Sequence, residues 1–121
     1  LRDAADRAWL AGLTLFLLGL LAAGIRLAAA GGDATRFVDA GSQFVDPATA
    51  PHGLHISPGS GYDGQFVYRL ALKPWDLSRT VHGITLDSGL RRQRIGLPVL
   101  GWLASGGGQP SAVPWALLAV N

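Results

Sequence analysis

The run Ala8-Trp9-Leu10-Ala11-Gly12-Leu13-Thr14-Leu15-Phe16-Leu17-Leu18-Gly19-Leu20-Leu21-Ala22-Ala23-Gly24-Ile25 carries no charged side chain and is apolar around the whole circumference of a helix. At about 1.5 Å per residue it would extend about 27 Å, close to the hydrocarbon thickness of a bilayer. Arg26 can snorkel to the headgroups, which lets the helix continue to Ala30, and Trp9 sits where an interfacial aromatic belongs. The expectation is a transmembrane helix over residues 8–30, after a flank at residues 1–7 in which Arg2 and Arg7 balance Asp3 and Asp6. Two other readings stay open. One is the buried helix of a soluble core. The other is a secretory signal peptide, because Ala28-Ala29-Ala30 before Gly31 resembles a small-residue cleavage site, although the apolar run exceeds the usual roughly 7–15 residues.

Composition agrees with a membrane chain. The 121 residues are 49% hydrophobic and only 15% charged, against roughly 25% charged in a soluble domain. That excludes disorder for most of the chain, since disorder needs low hydrophobicity and high net charge. The sequence pI of 9.7 rests on a net charge of only +2, so no nucleic-acid partner is expected. With no Cys there is no disulfide, thiolate metal site or cysteine nucleophile. The chain begins with Leu, contains no Met and runs apolar toward Asn121, and so reads as a fragment of a longer protein.

Beyond the first helix, residues 31–61 are rich in Gly, Pro, Ser, Thr and Asp and read as an ordered loop on the membrane surface. Residues of about 64–73 form a short amphipathic surface helix stopped by Pro74, with Phe66, Leu70 and Lys73 on one face. A second surface-lying or re-entrant helix is expected at about 92–104, where residues 95–104 are uncharged but too few to span. Gly106-Gly107-Gly108 has no following Lys and is no phosphate loop. Residues 113–121 look like the start of a second transmembrane helix, with Pro114 in its first turn. The expected fold is therefore an all-α membrane protein fragment: a first transmembrane helix, a long loop over residues 31–112 with short surface helices, and the start of a second transmembrane helix. Charge counting does not fix the side of the loop, because the positive-inside rule fails beyond about 60 residues.

Two places carry chemistry. In Gly61-Tyr62-Asp63-Gly64 a carboxylate on a glycine-flanked turn precedes a helix. Asp63 there suits a general base or a ligand of a divalent cation, and equally an ordinary helix N-cap. In Arg91-Arg92-Gln93-Arg94 the guanidinium forks suit phosphate oxygens, and equally anionic lipid headgroups. His52, His55 and His82 have no metal spacing, and Asp33, Asp39 and Asp46 read as solvated loop acids.

Tyr62-Asp63-Gly64-Gln65-Phe66-Val67-Tyr68-Arg69-Leu70-Ala71 resembles the aromatic-Asp-Gly element of polytopic GT-C glycosyltransferases. Together with Arg91-Arg92-Gln93-Arg94-Ile95-Gly96-Leu97-Pro98 it is similar to a group of bacterial multi-pass proteins of that type, in which Val67 and Leu97 are more often Tyr. The resemblance covers the second half of the chain, and it implies an integral membrane glycosyltransferase moving a sugar from a polyprenyl-phosphate donor to a hydroxyl acceptor. It implies Asp63 as the catalytic residue, Arg91 and Arg94 for the donor phosphate, and Tyr62, Gln65 and Tyr68 for substrate. It brings no certain cofactor, a divalent cation being an option, and it places the protein in the bacterial plasma membrane with the loop extracytoplasmic. The alternatives are a multi-pass membrane protein without catalysis, such as a transporter or flippase component, and a secreted binding module released after Ala30.

Overall fold

The computed structural model describes residues 2–121; Leu1, part of the expected flank, lies outside the described residues. About half of the chain is helical, and it divides into two compact units, residues 1–33 and 34–121.

The first unit is one helix, α1 (Arg2–Ala29), which takes in most of the flank expected at residues 1–7. Its segment Arg7–Ala29 is long and apolar enough to cross a bilayer, extending about 35 Å at 1.5 Å per residue. Its apolar side chains run all the way round, and inside its own unit there is no second element to cover them. Thr14, the one hydroxyl in the run, donates to the Leu10 carbonyl at 2.8 Å, so no polar group is left bare on that face. The helix ends in a paired cap: Gly32 N–H donates to Leu27 O at 2.9 Å and Gly31 N–H to Ala28 O at 3.0 Å. Both glycines have positive φ, 67° and 79°, as this left-handed ending requires.

The second unit is built around α2 (Gly64–Leu72). The amphipathic surface helix expected there is corrected: seven of its nine residues are buried. Tyr68, Ala71 and Leu72 join Val38, Val45, Ile84 and Val113 in one cluster, while Phe66 and Leu70 join Leu86 in another. A helix apolar on more than one face is an interior helix, and what surrounds it is the segment expected to be loop. A 3-10 segment (Ala34–Phe37) leads into β1 (Ala40–Gly41), which pairs in parallel with β2 (Ile56–Ser57), Ala40 opposite Ile56. After α2, β3 (Thr80–Val81) and β4 (Ile84–Thr85) form an antiparallel hairpin, Val81 opposite Ile84. His82 and Gly83 both take positive φ, 49° and 72°, the two-residue turn whose twist suits a tight hairpin. The all-α expectation is thus corrected by two short ladders that hold the loop backbone, whose donors and acceptors would otherwise be buried unpaired.

The helix expected at 92–104 divides in two, a 3-10 segment (Gly89–Arg94) and α3 (Gly96–Ala104), which is capped by glycine like α1. Gly107 N–H donates to Trp102 O at 2.9 Å and Gly106 N–H to Leu103 O at 3.1 Å, so the triple glycine is a helix ending. Finally α4 (Val113–Val120) packs on α3 where Gly101 admits Leu117, whose Cδ2 stands 2.6 Å from where a Cβ would be. Eight residues of helix extend about 12 Å, and here they complete the packing of the second unit, with Val113, Pro114 and Ala116 buried.

Candidate functional site

Asp63 begins α2 with helical backbone angles (φ −58°, ψ −24°) and its carboxylate makes no cap hydrogen bond. A capping aspartate sits in the extended region, from which its oxygen reaches back to the N2 or N3 amide. Asp63 is one step too far into the helix for that, and its carboxylate points elsewhere. Oδ2 lies 2.7 Å from Arg91 Nη1, and the side chain is 60% exposed.

Arg91 comes from the 3-10 segment (Gly89–Arg94) and is used on every edge. Its Nε donates to Asp87 Oδ1 at 2.9 Å and its Nη2 to Asp87 Oδ2 at 2.8 Å, a bidentate fork, while Nη1 meets Asp63. The guanidinium carbon also stands 4.6 Å from the Phe66 ring centroid, a cation–π contact. Phe66 itself is fixed edge-on by Phe44, centroids 5.4 Å apart. Hydrogen bonds to Asp87 first and Asp63 second hold the guanidinium above its ordinary basicity. The reciprocal effect holds Asp87 below the usual carboxylate range, with the Arg91 hydrogen bond as the main cause. The result is a clamp: Asp87 anchors Arg91, and Arg91 orients Asp63 at the open end of α2. No hydrogen bond or ion pair of Asp63 Oδ1 occurs among the described residues.

The other expected site residues divide by depth. Tyr62 stands outside, 76% exposed, beside Asp63. Arg94 is exposed and makes no ion pair or hydrogen bond among the described residues. Gln65 and Tyr68 are inside. The Gln65 carbonyl accepts from Gly41 N–H at 3.0 Å and its amide donates to Ser60 O at 2.7 Å, so this side chain ties β1 to the turn ahead of Asp63. The Tyr68 hydroxyl donates to Pro110 O at 3.1 Å, and burial pushes its phenol up to about 12. It stays protonated through any working pH and serves as a donor only.

Asp87 was missed by sequence reasoning. Its signal was the spacing Asp87-x-x-x-Arg91, an acid one helical turn ahead of a base. No group of three or more His and acidic side chains gathers among the described residues in a way that could hold a metal ion. Asp63 and Asp87 converge on the Arg91 guanidinium, which occupies the place between the two carboxylates that a bridging cation would need. Compared with protein-family models, with curated proteins and with solved structures, the chain matches none.

Proposed function

We propose that this chain is part of an integral membrane glycosyltransferase that moves a sugar from a polyprenyl-phosphate donor to a hydroxyl acceptor on the extracytoplasmic side. The observation that carries the reading is the state of Asp63: an exposed carboxylate at a helix start that does not cap the helix and is held from one side by an anchored arginine. Its Oδ1 is left without a partner among the described residues. In the reaction Oδ1 accepts the acceptor hydroxyl proton as the oxygen bonds to the anomeric carbon, and the bond from that carbon to the donor phosphate oxygen breaks, its electrons leaving with the phosphate. Arg91 holds Asp63 aimed. Tyr62 offers an exposed ring against a sugar face, and Arg94 is an uncommitted cation for the leaving phosphate. Gln65 and Tyr68 serve this arrangement from behind, by holding the turn and the helix that present Asp63. The apolar helix α1 is what would keep the site beside a lipid-borne donor.

A second reading is favoured by one observation. Because Arg91 is fully partnered, the clamp by itself explains the Asp63 contact, as a tie between α2 and the 3-10 segment in a membrane protein without catalysis. Asp63→Asn separates the two. In membranes containing the complete gene product, it should insert normally and unfold close to the parental temperature, since an exposed ion pair is worth about 0–1 kcal/mol. Transfer from a polyprenyl-phosphate sugar should fall at least about a hundredfold, as for loss of a general base. Transfer at the parental rate would leave only the tie.

A further inference from the structure

The turn after α2 and the 3-10 segment (Gly89–Arg94) border an open cleft of about 510 Å³, lined in part by Arg79, Arg92, Asp87, Ser88 and Gly89, of which only Arg92 is partly buried. That volume lies within the roughly 300–1,000 Å³ of small-ligand sites. Two arginines and one acid line it. Both oxygens of Asp87, the one acid on the wall, are engaged by Arg91, and neither Arg79 nor Arg92 has a carboxylate partner among the described residues. Arg79 donates only its Nε, to Leu86 O at 3.1 Å, and both of its terminal nitrogens lack partners among the described residues.

Behind the wall the excess grows. Arg92 donates one terminal nitrogen to the carbonyls of Leu77 and Ser78, and its Nε is buried with no partner. Arg69, wholly buried, donates to the same Ser78 carbonyl and to Asp76 O, and its Nε is orphaned as well. Burial pulls the Arg69 guanidinium below its ordinary value; Asp76 opposes this and the neighbouring Arg92 adds to it. Two cations thus converge on one neutral carbonyl, and a third lines the cleft beside them. Like charges brought together in a partly desolvated place raise the energy of the fold unless an anion is supplied.

We propose that the Arg79–Arg92 cleft binds a phosphate group, carried by a soluble phosphate monoester or by a lipid headgroup. Arg79 presents its free fork to two phosphate oxygens, Arg92 supplies a second cation, and the Ser88 hydroxyl, which makes no cap bond, donates from the opposite wall. This site is distinct from Arg91, which is committed to carboxylates, and does not depend on the transferase reading.

The test is a binding titration of the full chain in two arms: glycerol 3-phosphate added to protein in detergent micelles, and phosphatidic acid supplied in lipid nanodiscs. In at least one arm Arg79→Gln is expected to weaken binding about tenfold, the loss of one charge-assisted fork. Lys73→Gln, which removes the same charge elsewhere on the unit, should change it by less than about twofold. Ser88→Asp, which leaves every arginine in place and puts a carboxylate into the cleft, should abolish binding, so a poorly folding Arg79 variant would not spare the proposal. Sensitivity in the micelle arm identifies a soluble phosphate ligand, and sensitivity in the nanodisc arm alone identifies a headgroup. Equal effects of Arg79→Gln and Lys73→Gln, or binding in neither arm, would overturn it.

Discussion

Asp63, Arg91 and Asp87 divide one task among three side chains, and the division has a pH signature. Asp87 is held below its ordinary value by Arg91, so its contribution to stability is complete above the unfolded carboxylate value of about 3.9. It is lost as pH falls through the lower folded value. Asp76, lowered mainly by its hydrogen bonds with Ser78, behaves in the same sense. Melting temperatures of the parental chain should therefore be flat from neutrality to about pH 5 and fall below about pH 4. In Asp87→Asn that acid limb should be shallower, with Asp76 supplying what is left of it. A limb of the same steepness in the variant would mean that Asp87 contributes nothing to the acid loss of stability. Of this trio the sequence disclosed Asp63 and Arg91, since each stood in a recognisable pattern. Asp87 stood between a hairpin and a turn, and only its place four residues ahead of Arg91 set it apart from a solvated loop acid. The inward turn of Gln65 and Tyr68 was equally hidden, because a helix taken to lie on a surface gives every polar side chain an outlet.

Among the elements, the helices at 64–73 and 92–104 were legible within a few residues, and their surroundings were not. Periodicity reports that a helix has an apolar side; it does not report that residues 34–61 fold back over the other side. That covering depends on backbone approaches which only glycine permits. A Cβ on Gly41 would press into the backbone of Ser60 and Gly61, so β1 can lie against the turn before Asp63 only because that side chain is absent. The hairpin was readable in principle: His82-Gly83 between Thr80-Val81 and Ile84-Thr85 is a two-residue turn flanked by β-branched residues. The triple glycine gives a sharper test. Gly106 has φ +72° and open space, whereas Gly108 has φ +81° and would place a Cβ 2.9 Å from Trp102 Cδ1 and against the Leu72 carbonyl. Gly106→Ala should cost about 1 kcal/mol, the left-handed penalty alone. Gly108→Ala adds overpacking of about 1–3 kcal/mol, so its loss in thermal unfolding should be at least twice as large. Equal losses would mean that α3 does not close on the end of α2 in this way.

At the level of the whole molecule, the two units divide the demands of a membrane and of a polar site. The first is a helix whose segment Arg7–Ala29 is long and apolar enough to cross a bilayer. The second packs Gly41, Gly61 and Gly64 closely around the turn that presents Asp63. That apolar helix was the most legible feature of the sequence, since length and hydropathy alone specify it. Its orientation was the least legible, because the loop is too long for charge to dictate its side. The proposed reaction requires residues 34–121 to lie outside the cytoplasm, where a lipid-phosphate sugar would be presented. The absence of any cysteine makes this directly measurable. Ser60 and Ser88 are both exposed, and neither side chain makes a hydrogen bond among the described residues, so Ser60→Cys and Ser88→Cys should fold as the parent does. In intact cells both should react with a membrane-impermeant maleimide to about the extent seen after lysis. Reaction at both positions only after lysis would place the second unit in the cytoplasm. The transferase reading would then fail, while the phosphate cleft, which asks only for an anion at Arg79 and Arg92, would stand or fall on its own titration.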